Sequence, residues 1–384
     1  MSQLVYWSFP TRVVFGVGAA AQTGQEAKRL GGTRALLVTD RGVIATGLAE
    51  RVVRGLGEAG IEVATFADVD PNPIERNVHE GVAALRDSRA DVIVALGGGS
   101  PLDVAKIIRL KARPGAHERP LVEYDDATGG DAYVTSNMPP MLALPTTAGT
   151  GSEVGRSGVV TLDANRRKTV IFSPYLLPNC ALLDPELTAT MPAHTTAATG
   201  FDALTHCLEA YVSLGDHPMA DAIALGGLEL VAQYLARAVA APQDLEARGA
   251  MMKAAMMGAV SFQKGLGACH SLAHPLSNLC RLHHGLANAI CLPAVVAWNG
   301  EVVPAKMKRV ARALGCSDES TRGLVDALRD LRRQLGLAES LSAAGVKAEM
   351  LEALADGAAE DACHRANPRP CTRADLLALY RASL

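Results

Sequence analysis

The first half of this 384-residue chain alternates between short β-rich runs and helical stretches, and no other feature restricts its folding as much. The runs lie at Arg12 to Phe15, Ala35 to Thr39, Glu62 to Phe66, Asp91 to Leu96 and Met141 to Leu144, with helical patterns at Gly18 to Leu30, Gly47 to Gly60 and Ile74 to Asp87 between them. Such alternation predicts parallel strands joined by crossover helices. From Val92 on, the fourth run is apolar throughout, as a strand covered on both faces requires. Further β-like runs follow at Val159 to Leu162, Lys168 to Phe172 and Ala181 to Leu183. After Pro185 the pattern changes to long helical stretches rich in Ala, Leu and Met. We therefore expect an α/β unit with a mostly parallel sheet over 1–188 and an all-helical unit over 189–384.

Composition narrows the function. A chain that is 49% hydrophobic and 20% charged has an ordinary soluble make-up. The net charge of -3, with no block of like charge beyond pieces such as Arg166, Arg167 and Lys168, speaks against nucleic acid or an anionic membrane as partner. The N-terminus lacks a basic and then apolar leader, and no later stretch reads as a clean span of ~20 apolar residues, so a cytoplasmic protein is expected. Eight cysteines without a Cys-x-x-Cys pair exclude a zinc ribbon or a thioredoxin-like motif, and Cys269 and Cys280 read as buried thiols.

Chemistry concentrates between Gly265 and Pro293, where His270, His274, His283 and His284 fall in a segment dominated by Leu, Ala and Gly. His270 and His274 are four apart and share a helix face. His283 and His284 follow where the helical pattern gives out, before Gly285. Imidazoles in apolar surroundings need partners, either ordinary hydrogen bonds or a divalent cation. Upstream, Asp202 and His206 are also four apart on a helical pattern, which on its own is equally consistent with a hydrogen-bonded pair. Taken together, one carboxylate and several imidazoles favour a metal site. Such a ligand set suits Fe(II), Zn(II), Mn(II) or Co(II) without choosing among them.

The α/β half offers two loops at strand ends. Gly97, Gly98, Gly99 and Ser100, followed by Pro101, make a helix N-terminus that a pyrophosphate can approach, though the Gly-x-Gly-x-x-Gly fingerprint is absent. The second loop, Thr146 to Ser152, presents hydroxyls and glycines at another strand end. Paired loops at the carboxyl ends of parallel strands are where open α/β sheets bind ligands. Asp40, closing the run Ala35 to Thr39, is either a turn residue or a ribose-binding carboxylate that favours NAD over NADP.

These motifs, in this order, resemble the iron-containing (group III) alcohol dehydrogenase family from Phe9 through Asp202 and His206 to the run His283, His284, Gly285. The resemblance implies an N-terminal NAD(P)-binding domain, an all-helical C-terminal domain and a metal in the cleft between them, with Fe(II) favoured and Zn(II) or Mn(II) as alternatives. It implies Asp202, His206, His270 and His284 as ligands and His274 as a non-ligand histidine beside the reacting oxygen. It assigns Asp40, Asn72, Gly98, Gly99, Ser100, Thr146, Thr147, Thr150 and Lys168 to the dinucleotide. It also implies a small alcohol or aldehyde as substrate and a homodimer or larger assembly.

One departure bears on substrate. Many family members carry Phe-Ser-Asn at the turn before the first histidine ligand, whereas this chain reads Ser261, Phe262, Gln263, Lys264. A cation at Lys264, with Arg156 and the displaced Phe262, would suit a short hydroxy acid such as 4-hydroxybutyrate and its semialdehyde. Two competing readings are a dehydroquinate synthase-like lyase and a metal- and nucleotide-binding protein without catalysis.

Overall fold

The computed structural model describes residues 9, 11–112, 115, 118–164 and 166–384. They cluster as two compact units, residues 11–147 with Gly151–Thr190, and Ala148–Thr150 with Met191–Leu384 and Phe9.

The first unit is built on strands β1 (Arg12–Phe15), β2 (Arg34–Val38), β3 (Glu62–Phe66), β4 (Val92–Gly97), β5 (Met141–Pro145) and β8 (Cys180–Leu183). They form one sheet in the order β1-β8-β5-β4-β2-β3, every pairing parallel. Strands β6 (Ser157–Thr161) and β7 (Lys168–Phe172) make a separate antiparallel pair. Helices α1 (Thr23–Arg29), α2 (Arg41–Ala45), α3 (Leu48–Glu58), α4 (Glu75–Asp87) and α5 (Gly99–Lys111) supply the crossovers. Both faces of the sheet are covered. Leu36, Ile93 and Ala143 point into one apolar cluster, while Leu37, Val94 and Leu142 point into another. Each fully buried Leu, Ile or Val among them contributes roughly 1.5–3 kcal/mol, which explains the unbroken apolar runs. The strand order reverses between β2 and β4, and such a reversal is where open α/β sheets bind ligands.

The second unit is helical: α6 (Ala193–Val212), α7 (Pro218–Ala240), α8 (Leu245–Ser261), α9 (Ala268–Leu279), α10 (His284–Gly300), α11 (Pro304–Ala313), α12 (Thr321–Gln334), α13 (Leu351–Glu360) and α14 (Arg373–Ser383). Helix α6 is buried on nearly all sides, because α7, α8 and α10 pack around it. That accounts for Ala, Leu, Cys and Phe appearing around its whole circumference. Helix α7 is long and apolar enough to cross a membrane by length and composition alone, though Asp221, Glu229 and Arg237 interrupt its apolar run. Its Ala224, Gly227, Leu228, Val231 and Leu235 are buried within the unit.

Candidate active site

Helix α6 carries Asp202 and His206 on one buried face, and α9 brings His270 against them. One donor atom from each of these three residues lies within 4.8 Å of the others. Helix α10 opens on His284, whose placement depends on the next residue. A Cβ at Gly285 would lie 2.0 Å from the Ala198 carbonyl oxygen, so only glycine lets the start of α10 approach α6 this closely. Around the single oxygen Asp202 Oδ1 stand three imidazole Nε2 atoms: His284 at 3.5 Å, His270 at 3.8 Å and His206 at 3.9 Å.

Those distances are too long for hydrogen bonds. They are close to the separation of ligands sharing one ion, since donors about 2.1 Å from a common centre stand roughly 3.0–3.4 Å apart. The donor set tests further. His270 Nδ1 lies 2.6 Å from Glu209 Oε2, and a carboxylate can only accept, so Nδ1 carries the proton and Nε2 is a bare lone pair. That Nε2 is buried with no hydrogen-bond partner among the described residues. An orphaned lone pair facing a carboxylate and two further imidazoles fits a divalent cation.

The electrostatics agree. Burial pushes toward protonation of Asp202, but the neighbouring His206, His284 and His270 and a hydrogen bond from Asn288 outweigh it and hold the carboxyl at about 2. Burial drives His206 down to about 4 against the pull of Asp202, and drives His284 well below its usual value. His270 moves upward: burial would lower it, but the hydrogen bond and charge of Glu209 prevail. Between pH about 6.5 and 4 the unfolded chain binds protons at His206 and His284 that the folded, metal-free protein refuses, so stability falls as pH falls through this window. His206 alone accounts for at most about 3 kcal/mol, and His270 opposes the trend as one group against two. Calorimetry of chelator-treated protein should therefore show Tm dropping from pH 7 to pH 5, and a flat profile would contradict these assignments.

His274 lies one turn beyond His270 on α9, and its ring stacks on that of His284 with centroids 5.2 Å apart. Its Nδ1 is 2.7 Å from Asp361 Oδ2, so the proton again sits on Nδ1 and Nε2 is left as an acceptor. Asp361 also accepts from the Ser271 hydroxyl at 2.7 Å and the Cys363 N–H at 2.8 Å. Burial raises its carboxyl, yet His274 and these donors prevail and hold it well below the usual range. At 33% exposure His274 keeps access to water, which the buried His206 and His270 lack. His283 is the N-cap residue of α10 and stands outside the cluster of Nε2 atoms.

Sequence reasoning assigned no role to three residues of this site. Glu209 and Asp361 orient the α9 histidines, and Asn288 donates to Asp202 Oδ1 at 2.8 Å. Glu209 was visible one turn after His206, but its partner is 61 residues away and no local spacing links them.

The substrate-anchor expectation fails at Lys264. Its ammonium is buried, donating to Asp221 Oδ1 at 2.5 Å and to the Tyr211 carbonyl at 2.9 Å, so it ties the end of α6 to α7 rather than awaiting a substrate. Phe262 lies against His206, ring centroids 5.0 Å apart. Arg156 belongs to the other unit, with its guanidinium 5.2 Å over the Phe172 ring.

In the α/β unit Asp40, Gly98, Gly99, Ser100, Thr146 and Thr147 stand after the carboxyl ends of β2, β4 and β5. Thr146 N–H donates to the Gly97 carbonyl at 2.9 Å, and a Cβ on Gly98 would sit 3.3 Å from Thr147 Cγ2, so the two loops lie side by side. Gly99 begins α5, and the Ser100 hydroxyl donates to the Pro71 carbonyl at 2.8 Å. Lys168 reaches from β7 to Asn72 Oδ1 at 2.9 Å. Asp40 is the N-cap of α2, with Oδ1 accepting from Val43 N–H at 2.9 Å, so the turn role and an available second oxygen coexist. Thr150 clusters with the helical unit instead. Beneath the loops, Ser152 donates to Asp103 Oδ1 at 2.6 Å and accepts from Lys106 at 2.7 Å, bracing the second loop against α5. Burial pushes Lys106 down to about 8, partly offset by Asp103.

A parallel sheet with a reversal point offers a ligand crevice at its strand ends, and a helical unit with one carboxylate amid imidazoles offers a donor set suited to a divalent cation. Residues 10–185 match the sequence-family model described as iron-containing alcohol dehydrogenase, and 196–384 match that of the Fe-containing alcohol dehydrogenase family, C-terminal. The chain belongs to the iron-containing alcohol dehydrogenase family, and it is an oxidoreductase acting on alcohols. It is 40% identical over 383 residues to the 4-hydroxybutyrate dehydrogenase of Cupriavidus necator, covering 97% of this chain and 98% of that one. The NAD-dependent methanol dehydrogenase of Bacillus methanolicus is 37% identical over 385 residues, with 98% of each covered. Among solved structures, a 1,3-propanediol oxidoreductase superposes with a TM-score of 0.95 at 36% identity, with all of both chains covered. These relatives do not favour the lyase reading.

Proposed function

We propose that this chain is an NAD-linked, metal-dependent dehydrogenase that interconverts a short primary alcohol or hydroxy acid, 4-hydroxybutyrate among them, with the aldehyde. The observation that carries the reading is the ring of three Nε2 atoms around Asp202 Oδ1, with the half-exposed His274 stacked beside them. Asp202, His206, His270 and His284 hold the cation, with Fe(II) the first choice on family grounds and Zn(II) or Mn(II) the alternatives. When bound, it supplies Lewis acidity that brings an alcohol's pKa toward neutrality. His274 takes the alcohol proton at Nε2 and passes it to water, while Asp361 keeps Nδ1 protonated and the ring oriented. Phe262 gives the substrate an apolar wall beside His206.

Asp40, Asn72, Gly98, Gly99, Ser100, Thr146, Thr147, Thr150 and Lys168 bind NAD, the hydride carrier. The Asp40 oxygen not used in capping α2 repels a 2′-phosphate. Asp40→Ala should narrow the preference for NAD over NADP and lower stability by about 1 kcal/mol through the lost cap. Unchanged cofactor preference in paired steady-state assays would remove Asp40 from the ribose site. The hydroxy-acid preference now rests on similarity to the Cupriavidus necator enzyme, with Arg156 as the remaining basic candidate for the far carboxylate. The protein works in the cytoplasm as a homodimer or larger assembly.

The test is turnover followed by NADH absorbance, using metal-stripped protein reloaded with Fe(II), Zn(II) or Mn(II) and offered NAD or NADP. Substrates should include 4-hydroxybutyrate, 1,3-propanediol and simple alkanols. Metal-restored, NAD-preferring turnover is the expected result. Absence of turnover with every metal, despite stoichiometric binding of metal and NAD, would overturn the reading.

A further inference from the structure

Glu209 is 1% exposed, and a carboxylate is almost never buried unless its charge is matched. No Lys or Arg matches it. Oε1 accepts from the Cys269 N–H at 2.6 Å, and Oε2 accepts from the Gly267 N–H at 3.1 Å and from His270 Nδ1 at 2.6 Å. With the longer contact from His270 N at 3.4 Å, three of these donors are backbone amides at the start of α9. The imidazole between this carboxylate and Asp202 is buried to the same degree, with its far nitrogen unpartnered.

We propose that Glu209 is a positioning residue of the metal centre: it fixes His270 as an Nε2 donor and adds a second buried negative charge that a divalent cation neutralises. This rests on the reading that Asp202, His206, His270 and His284 hold a metal. The buried cluster carries two carboxylates, with no Lys or Arg hydrogen-bonded or ion-paired to either among the described residues. A divalent ion cancels that charge, whereas a monovalent one leaves an uncompensated buried anion. A carboxylate on Nδ1–H also raises the basicity of the opposite nitrogen, strengthening its bond to a cation. Because Glu209 lies three residues after His206 on α6, one rigid helix supplies two ligands and the orienting group of a third.

Affinity for Zn(II) alone, measured on the full chain by competition with a chromophoric chelator, tests the proposal without an activity assay. Glu209→Gln loses the charge and leaves one acceptor oxygen for donors that now use both. It should lower the metal-free Tm and also bind Zn(II) about 10–100-fold more weakly at a temperature where the variant is fully folded. A purely structural Glu209 would show the lowered metal-free Tm with unchanged affinity of the folded variant, and that result would overturn the proposal. Glu209→Asp provides a second variant that retains the charge but withdraws it from His270, and it too should bind Zn(II) more weakly. Parental affinity in either soluble variant sinks the proposal alone. Failure of the parent protein to bind stoichiometric Zn(II) would bring down the metal-site reading and this proposal with it.

Discussion

Asp202→Asn protein should fold, retain dinucleotide binding and turn over alcohol on the order of 10³ more slowly than the parent at saturating cofactor. The substitution is isosteric and keeps an oxygen for the Asn288 amide, which now donates to Asp202 at 2.8 Å. What disappears is the charge at the point where three Nε2 atoms converge. A Lewis acid at an alcohol oxygen is worth several kcal/mol of transition-state stabilisation, and each 1.36 kcal/mol is tenfold in rate. Elemental analysis after reloading provides a second readout, in which the variant should retain far less than one equivalent of metal. Stoichiometric metal with near-parental turnover would remove Asp202 from the centre. The Asp202 carboxyl, held at about 2, is ionised throughout the working range, so the substitution removes a full charge.

His274→Ala should separate chemistry from metal binding. His274 has its Nδ1 committed to Asp361 and its ring stacked on that of His284. Losing a general acid/base lowers kcat by roughly 10²–10⁴. Metal content should remain at one equivalent, since the four proposed ligands are untouched. Asp361→Asn should show a loss of the same kind, because the Cys363 N–H holds the amide oxygen on its own side and turns the amide NH2 toward His274 Nδ1, which displaces the proton from Nδ1 and removes the charge. A fall in metal content parallel to the fall in kcat would make His274 a ligand instead. An unchanged kcat would place proton transfer elsewhere.

Both predictions use side chains whose types and spacings are visible in the chain, yet their arrangement is not equally legible. Pairs four residues apart can be read directly, because helix geometry alone puts Asp202 with His206 and His270 with His274. Which histidine of the adjacent pair joins the cluster depends on where α10 begins and on the Gly285 contact with Ala198, a packing fact without a local signal. Lys264 shows the opposite outcome. A lone cation near an expected site suggested an anion partner, and the partner proved to be Asp221, 43 residues away within the protein.

The parallel strands and their crossovers were determined by the chain's own pattern, because a strand buried on both faces must be apolar along its whole length and a crossover helix must follow it. Within-helix juxtapositions were determined in the same way. Only the tertiary structure decided which of two neighbouring histidines meets Asp202, that Glu209 and Asp361 orient His270 and His274, and that Lys264 is spent on an internal ion pair. The physical reason is one of range. Periodicity records which face of an element is buried, whereas hydrogen bonds spanning 61 or 87 residues depend on how elements stack, and stacking leaves no periodic trace in sequence.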